Sequence, residues 1–117
     1  YHPPSADDNE LLEYLSTTLT CIEGNFPGCG IIIVGDFNQL NVRNLCRNFN
    51  LNQLVRVPTR GRNTLDLVIT NLHSYYQPKT TSHPPFGFSD HSVIAIKPRF
   101  RDPKTQIFQS VESTWTR

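Results

Sequence analysis

The sequence predicts an α/β fold, and three observations predict it. One is a stretch with apolar residues at helical spacing, Leu11, Leu12, Leu15, Leu19 and Ile22. Another is a pair of dense β-branched runs, IIIV at 31–34 and TLDLVIT at 64–70. The third is a later extended run, Ser92 to Lys97, separated from them by loops rich in Pro, Ser and Thr. Periods of 3.6 and runs of buried-strand type alternate along the chain, which is the pattern of helices packed on a sheet.

Ser5, Asp7 or Asp8 can cap the first helix, and acids there suit the positive end of its dipole. Gly24, Pro27 and Gly28 end it. Four consecutive Ile and Val residues then read as a strand covered on both faces, leading straight into Gly35-Asp36-Phe37-Asn38. Asn41 to Phe49 can form a short helix with Val42, Leu45, Cys46 and Phe49 on one side. Leu51 to Val57 is a short extended run stopped by Pro58, and Thr59 to Asn63 reads as a turn. Asn71 to Pro85 is read as loop, and Ser89-Asp90-His91 enters the last strand. No repeat or low-complexity tract interrupts this order.

A chain of 117 residues with net charge +1 bounds the answer to one domain. That balance gives no global attraction to nucleic acid. Lys97, Arg99, Arg101 and Lys104 cluster within eight residues, as a solvated basic tail or a phosphate-following stretch would. The three cysteines, 21, 29 and 46, lack metal-type spacing and read as reduced thiols, which fits an intracellular protein. No run is long enough to span a membrane. The chain has no methionine and opens on Tyr1-His2-Pro3-Pro4, as expected of a piece of a longer product. Three strands this apolar presume partners outside the chain, so the piece is expected to be poorly soluble by itself.

Three polar clusters each adjoin an apolar strand. Asp36 and Asn38 follow the first, Asp66 interrupts the second, and Asp90 and His91 precede the third. An ionised Asp inside TLDLVIT is costly unless bonded, and a His from a neighbouring strand would satisfy it. Such a set suits phosphodiester hydrolysis, which needs a base for water, donors for the phosphoryl oxygens and usually a divalent metal. Asp36 could be the base, Asn38 an orienting amide, Asp90 an oxygen ligand for Mg²⁺ and His91, braced by Asp66, a donor to phosphate. Singly, each motif has a plainer reading. GDFN could be an Asx-turn, SDH a capped strand entry, and Asp66 a group bonded to backbone amides. His2, His73 and His83 have no companion pattern and read as surface or loop residues.

In their order, GDFN at 35–38, LDLVITN at 65–71 and SDH at 89–91 resemble the late motifs of the endonuclease/exonuclease/phosphatase family. With Tyr1–Pro4, Thr59–Gly61 and Ser89–Ile94, the likeness is closer to the endonuclease domains of non-LTR (LINE-type) retrotransposons. The resemblance covers nearly the whole chain. It implies the C-terminal half of a DNase I-like four-layer α/β sandwich at residues 1–98, followed by a polar tail or linker at 99–117. It implies Asp36 and Asn38 at the attacking water or scissile phosphate, Asp66 orienting His91, His91 on the phosphate, and Asp90 beside Mg²⁺ or Mn²⁺. Arg60 and Arg62 are expected to contact nucleic acid. The implied partners are DNA and a following reverse-transcriptase domain, with action in the nucleus. The family's early Asn and metal-binding Glu would lie upstream of Tyr1, because Glu10, Glu13, Glu23 and Glu112 fit neither place. The chain alone is therefore expected to be inactive. The alternatives are a non-catalytic relic or binding module, or a phosphatase of the same superfamily.

Overall fold

The structure is a computed structural model and describes residues 1–99. It is mixed α/β, with two α-helices and two small antiparallel sheets. Helix α1 spans Asp8–Asn25. Asp7 caps it, its carboxylate accepting from the Asn9 amide at 2.9 Å, and Asp8 and Glu10 occupy the first turn. Helix α2 spans Arg43–Phe49 and ends on Asn50, whose φ of +54° is the left-handed cap that Asn tolerates.

Strands β1 (Ile32–Asp36), β2 (Asn52–Gln53) and β3 (Asp66–Thr70) form one sheet in the order β1-β3-β2. Ile32 pairs with Thr70 and the register runs to Asp36 opposite Asp66. Strands β4 (Thr81–His83) and β5 (Val93–Ala95) form the second sheet. A 3₁₀ turn at His73–Tyr75 and β4 both lie inside the segment that composition suggested was all loop. A stretch rich in Thr, Ser and Pro carries no apolar alternation, so the partner strand had to supply the reason for β4. At the last described residue, the Arg99 amide donates to the Tyr75 carbonyl at 2.8 Å. The remainder of the expected tail at 99–117 lies outside the described residues.

The core lies on one face of the larger sheet. Leu19 of α1 and Leu45 of α2 pack with Phe37, Leu40, Val42, Leu51, Leu67 and Ile69, and Leu11, Leu12, Leu15 and Ile33 border them. Because side chains alternate along a strand, residues 33, 67 and 69 face the helices while 32, 34, 36, 66, 68 and 70 share the other face. That second face is not covered as the IIIV run predicted: Ile32 is 51% and Val34 68% exposed. The far end of β3 is tied down by its own polar residues. Thr70 donates through Oγ1 to the Ile31 carbonyl at 2.6 Å, and Asn71 accepts from the Ile31 amide at 2.8 Å. The ITN that ends LDLVITN thus anchors the entry to β1.

Candidate active site

Asp36 and Asp66 stand directly opposite one another at the end of the β1–β3 pair, on the sheet face turned away from the helices. Like charges in that position repel, and a third group offsets the repulsion. His91, two residues before β5, donates from Nδ1 to Asp66 Oδ2 at 2.6 Å, because an ionised carboxylate can only accept. Its Nε2 lies 3.7 Å from Asp36 Oδ2 and 3.7 Å from Asp90 Oδ1. The Asp66 hydrogen bond raises the His91 pKa most. Partial burial lowers it, and the charges of Asp66, Asp36 and Asp90 raise it further, for a net upward shift. His91 is thereby biased towards imidazolium, with its second nitrogen aimed at two carboxylates across an open gap.

The polar exit from β1 serves two ends at once. Asp36 Oδ1 accepts from the Asn38 amide at 3.0 Å, which is the Asx-turn that the sequence allowed. This bond also fixes the carboxylate so that Oδ2 faces His91. Asn38 sits at φ +50° and donates from Nδ2 to the His2 carbonyl at 2.5 Å, while the His2 amide donates to the Asp36 carbonyl at 2.8 Å. The Asn38 amide nitrogen is thus spent on the backbone beside the site. His2 itself is no surface residue. It is 5% exposed and bonded through Nε2 to Asp8 Oδ1 at 2.7 Å, because the Pro3-Pro4 exit folds it under α1. His83, read as loop, lies in β4, where its Nε2 is 3.2 Å from Thr81 Oγ1. His73 lies in the 3₁₀ turn, its Nδ1 2.9 Å from Asn52 Nδ2.

Thr59 is the residue that motif reading undervalued. It is 0% exposed, and its Oγ1 accepts from the amides of Leu65 at 2.9 Å and Asp66 at 3.2 Å. Its carbonyl accepts from the Ser92 amide at 2.6 Å. One buried threonine therefore ties the start of β3, which carries Asp66, to the entry of β5, which carries His91. The signal in the sequence was Thr59 itself in Pro-Thr-Arg-Gly, but nothing local distinguishes a buried tie from a turn hydroxyl.

The remaining expected residues lie at the rim. Arg60 Nε pairs with Asp90 Oδ2 at 2.9 Å, with both side chains more than half exposed, a pairing worth roughly 0–1 kcal/mol. Arg60 is thus engaged with Asp90, and Arg62 is exposed at the hairpin tip next to Gly61, whose φ is +57°. A cavity of about 490 Å³ lies beside the cluster, lined by His2, Asp8, Asn38, Arg60 and Asn63 among others. No protein-family model, curated protein or solved structure matches this chain. The site must be read from its own chemistry.

Ligand-type atoms of Asp36, Asp66 and His91 all lie within 4.8 Å of one another. They do not form an all-protein cage, because the Asp66–His91 pair is closed by its 2.6 Å hydrogen bond. What is open is the space among Asp36 Oδ2, Asp90 Oδ1 and His91 Nε2. A hard cation such as Mg²⁺ takes one or two carboxylates and fills its other positions with water and phosphate oxygens. Among the described residues the grouping with ligand atoms in mutual reach is Asp36, Asp66 and His91; Asp90 stands outside it, its Oδ2 paired with Arg60. The grouping contains no glutamate: Glu10, Glu13 and Glu23 all lie on α1.

Proposed function

We propose that this chain supplies the base, the phosphate donor and their supports for a divalent-metal-dependent endonuclease acting on DNA. The observation that carries the reading is the pair of opposed carboxylates joined by His91. Asp36 takes the proton of the attacking water. His91, held by Asp66, donates from Nε2 to a phosphoryl oxygen as negative charge develops. Asn38 and His2 hold the Asp36 turn, and Asp90 offers an oxygen to the metal. Mg²⁺ or Mn²⁺ bound there would polarise the phosphoryl oxygen and neutralise developing charge.

The chain forms half of a DNase I-like sandwich, and the open face bearing Ile32 and Val34 is where the rest of such a sandwich would pack. A metal-binding glutamate supplied by preceding sequence completes the site, so the 117-residue chain alone does not cut. In the whole protein the nick primes reverse transcription by a following domain, at chromosomal DNA in the nucleus. The same cluster suits a phosphomonoester, and the basic hairpin of Arg60 and Arg62 favours DNA over it.

The test is nicking of supercoiled plasmid by a polypeptide carrying this chain with its upstream coding sequence. Nicking should require Mg²⁺ or Mn²⁺ and stop on chelation. Asp36→Ala, Asp66→Asn and His91→Ala should each lower the rate by about 10²–10⁴-fold. Undiminished nicking by the Asp36 and His91 variants overturns the assignment.

A further inference from the structure

Two of the most exposed large apolar side chains sit on one turn that leads into the candidate site. Phe86 is 87% exposed and Phe88 fully so. They flank Gly87, whose φ of +63° lets the Ser89 amide donate back to the Phe86 carbonyl at 3.2 Å. Pro84 and Pro85 stiffen the approach. Single exposed apolar residues are ordinary on protein surfaces. Two aromatic rings held out on one stiff turn, both away from the core, keep a large hydration cost that only a partner removes.

We propose that the Phe86–Phe88 turn is a stacking wedge for nucleic-acid bases next to the phosphodiester presented to His91. This rests on the phosphodiesterase reading above and adds how the substrate is gripped. Phe88 is three residues from His91, so their Cα atoms are at most about 10 Å apart. A base adjoining a phosphate at His91 is within reach of the rings. The segment that follows the turn is tied to the basic hairpin. Arg60 binds Asp90 at 2.9 Å, and the Ser92 amide binds the Thr59 carbonyl at 2.6 Å. Arg62 is exposed two residues beyond Arg60. Aromatic faces beside guanidinium groups match a polyanion whose monomers carry flat rings. An apolar protein surface would gain nothing from those arginines. Stacking on exposed rings needs unstacked bases, so the wedge favours single-stranded or easily opened DNA over stiff duplex.

The test is fluorescence anisotropy of the 117-residue chain with a labelled single-stranded 20-mer and its duplex, across a salt series. The Phe86→Ala/Phe88→Ala double variant should weaken single-strand binding by about tenfold or more. Its salt dependence should stay as in the parent, and Phe88→Tyr should restore most of the loss. Arg62→Ala should instead reduce the salt slope. Both rings are exposed, so circular dichroism should be unchanged in every variant. Undiminished single-strand binding by the double variant overturns the wedge and leaves the phosphodiesterase reading intact. So does a double variant whose only change is loss of self-association, which would assign the turn to protein contact. Absence of all DNA binding by the unsubstituted chain overturns the wedge, and the nicking test above decides the phosphodiesterase reading separately.

Discussion

At the scale of single residues, the site turns on how one imidazole is shared between two opposed acids. Asp66 makes the short bond and Asp36 faces the other ring nitrogen, so removing either has different consequences. Asp66→Asn should lower the His91 pKa towards the ordinary value of 6.5, because the largest cause of its elevation is lost. Asp36→Asn should lower it less. A histidine whose pKa is raised on folding contributes stability that is fully present below its unfolded value, near 6.5, and lost as pH rises through the raised folded value. Thermal unfolding followed from pH 6 to 9 should show that loss in the parent and little of it in Asp66→Asn. Imidazole titration by NMR gives the pKa directly, and an unmoved His91 titration in Asp66→Asn would refute the account.

At the scale of elements, the site is held by ties between segments that are remote in sequence. Thr59 links the hairpin, the start of β3 and the entry of β5 through one hydroxyl and one carbonyl. Thr59→Val keeps the shape and removes the acceptor, leaving two backbone amides unsatisfied in a buried place. Each such group costs about 1–3 kcal/mol, so chemical denaturation should show a loss of at least about 2 kcal/mol. Thr59→Ser retains the oxygen and should recover most of that loss. Destabilisation by Ser with none by Val would mean that packing of the methyl group, not the hydroxyl, matters here. The helices play a plainer part: α1 and α2 cover only the face opposite the acids, which leaves Asp36 and Asp66 accessible.

At the scale of the whole molecule, the larger sheet is two-faced in composition and one-faced in burial. Leu67 and Ile69 are buried against the helices, while Ile32 and Val34 on the opposite face are open. That face continues through Val68, Leu54 and Ile96 into a shallow apolar depression of about 180 Å³. Exposed apolar surface of this kind binds dyes such as ANS and promotes association. Val34→Lys should therefore reduce ANS fluorescence and aggregation of the 117-residue chain while shifting its unfolding midpoint little. A marked loss of stability in that variant would show Val34 to be covered in solution. No helix among the described residues is long and apolar enough to cross a membrane.

Much of this was legible in the residues. Helix α1, α2, β1, β3 and the turn at 59–63 follow from periodicity and turn chemistry, which act over a few neighbouring positions, while the choice of Asp7 among three possible caps came from the structure. The three polar clusters were also legible, because an acid beside a buried strand is conspicuous wherever the strand packs. The Asp66–His91 pairing was expected too, from the cost of an unbonded acid in a strand and from the family resemblance. The geometry was not, since Asp36, Asp66 and His91 meet through the register that sets Asp36 opposite Asp66 and the tie that brings in His91. The same holds for His2, buried by the chain exit, for Thr59, and for β4, whose pairing lies wholly in its partner. Local sequence determines which segments are helix or strand and which side chains can do chemistry. Only the tertiary structure decides which of those side chains share a proton, because that depends on distances between residues far apart in the chain.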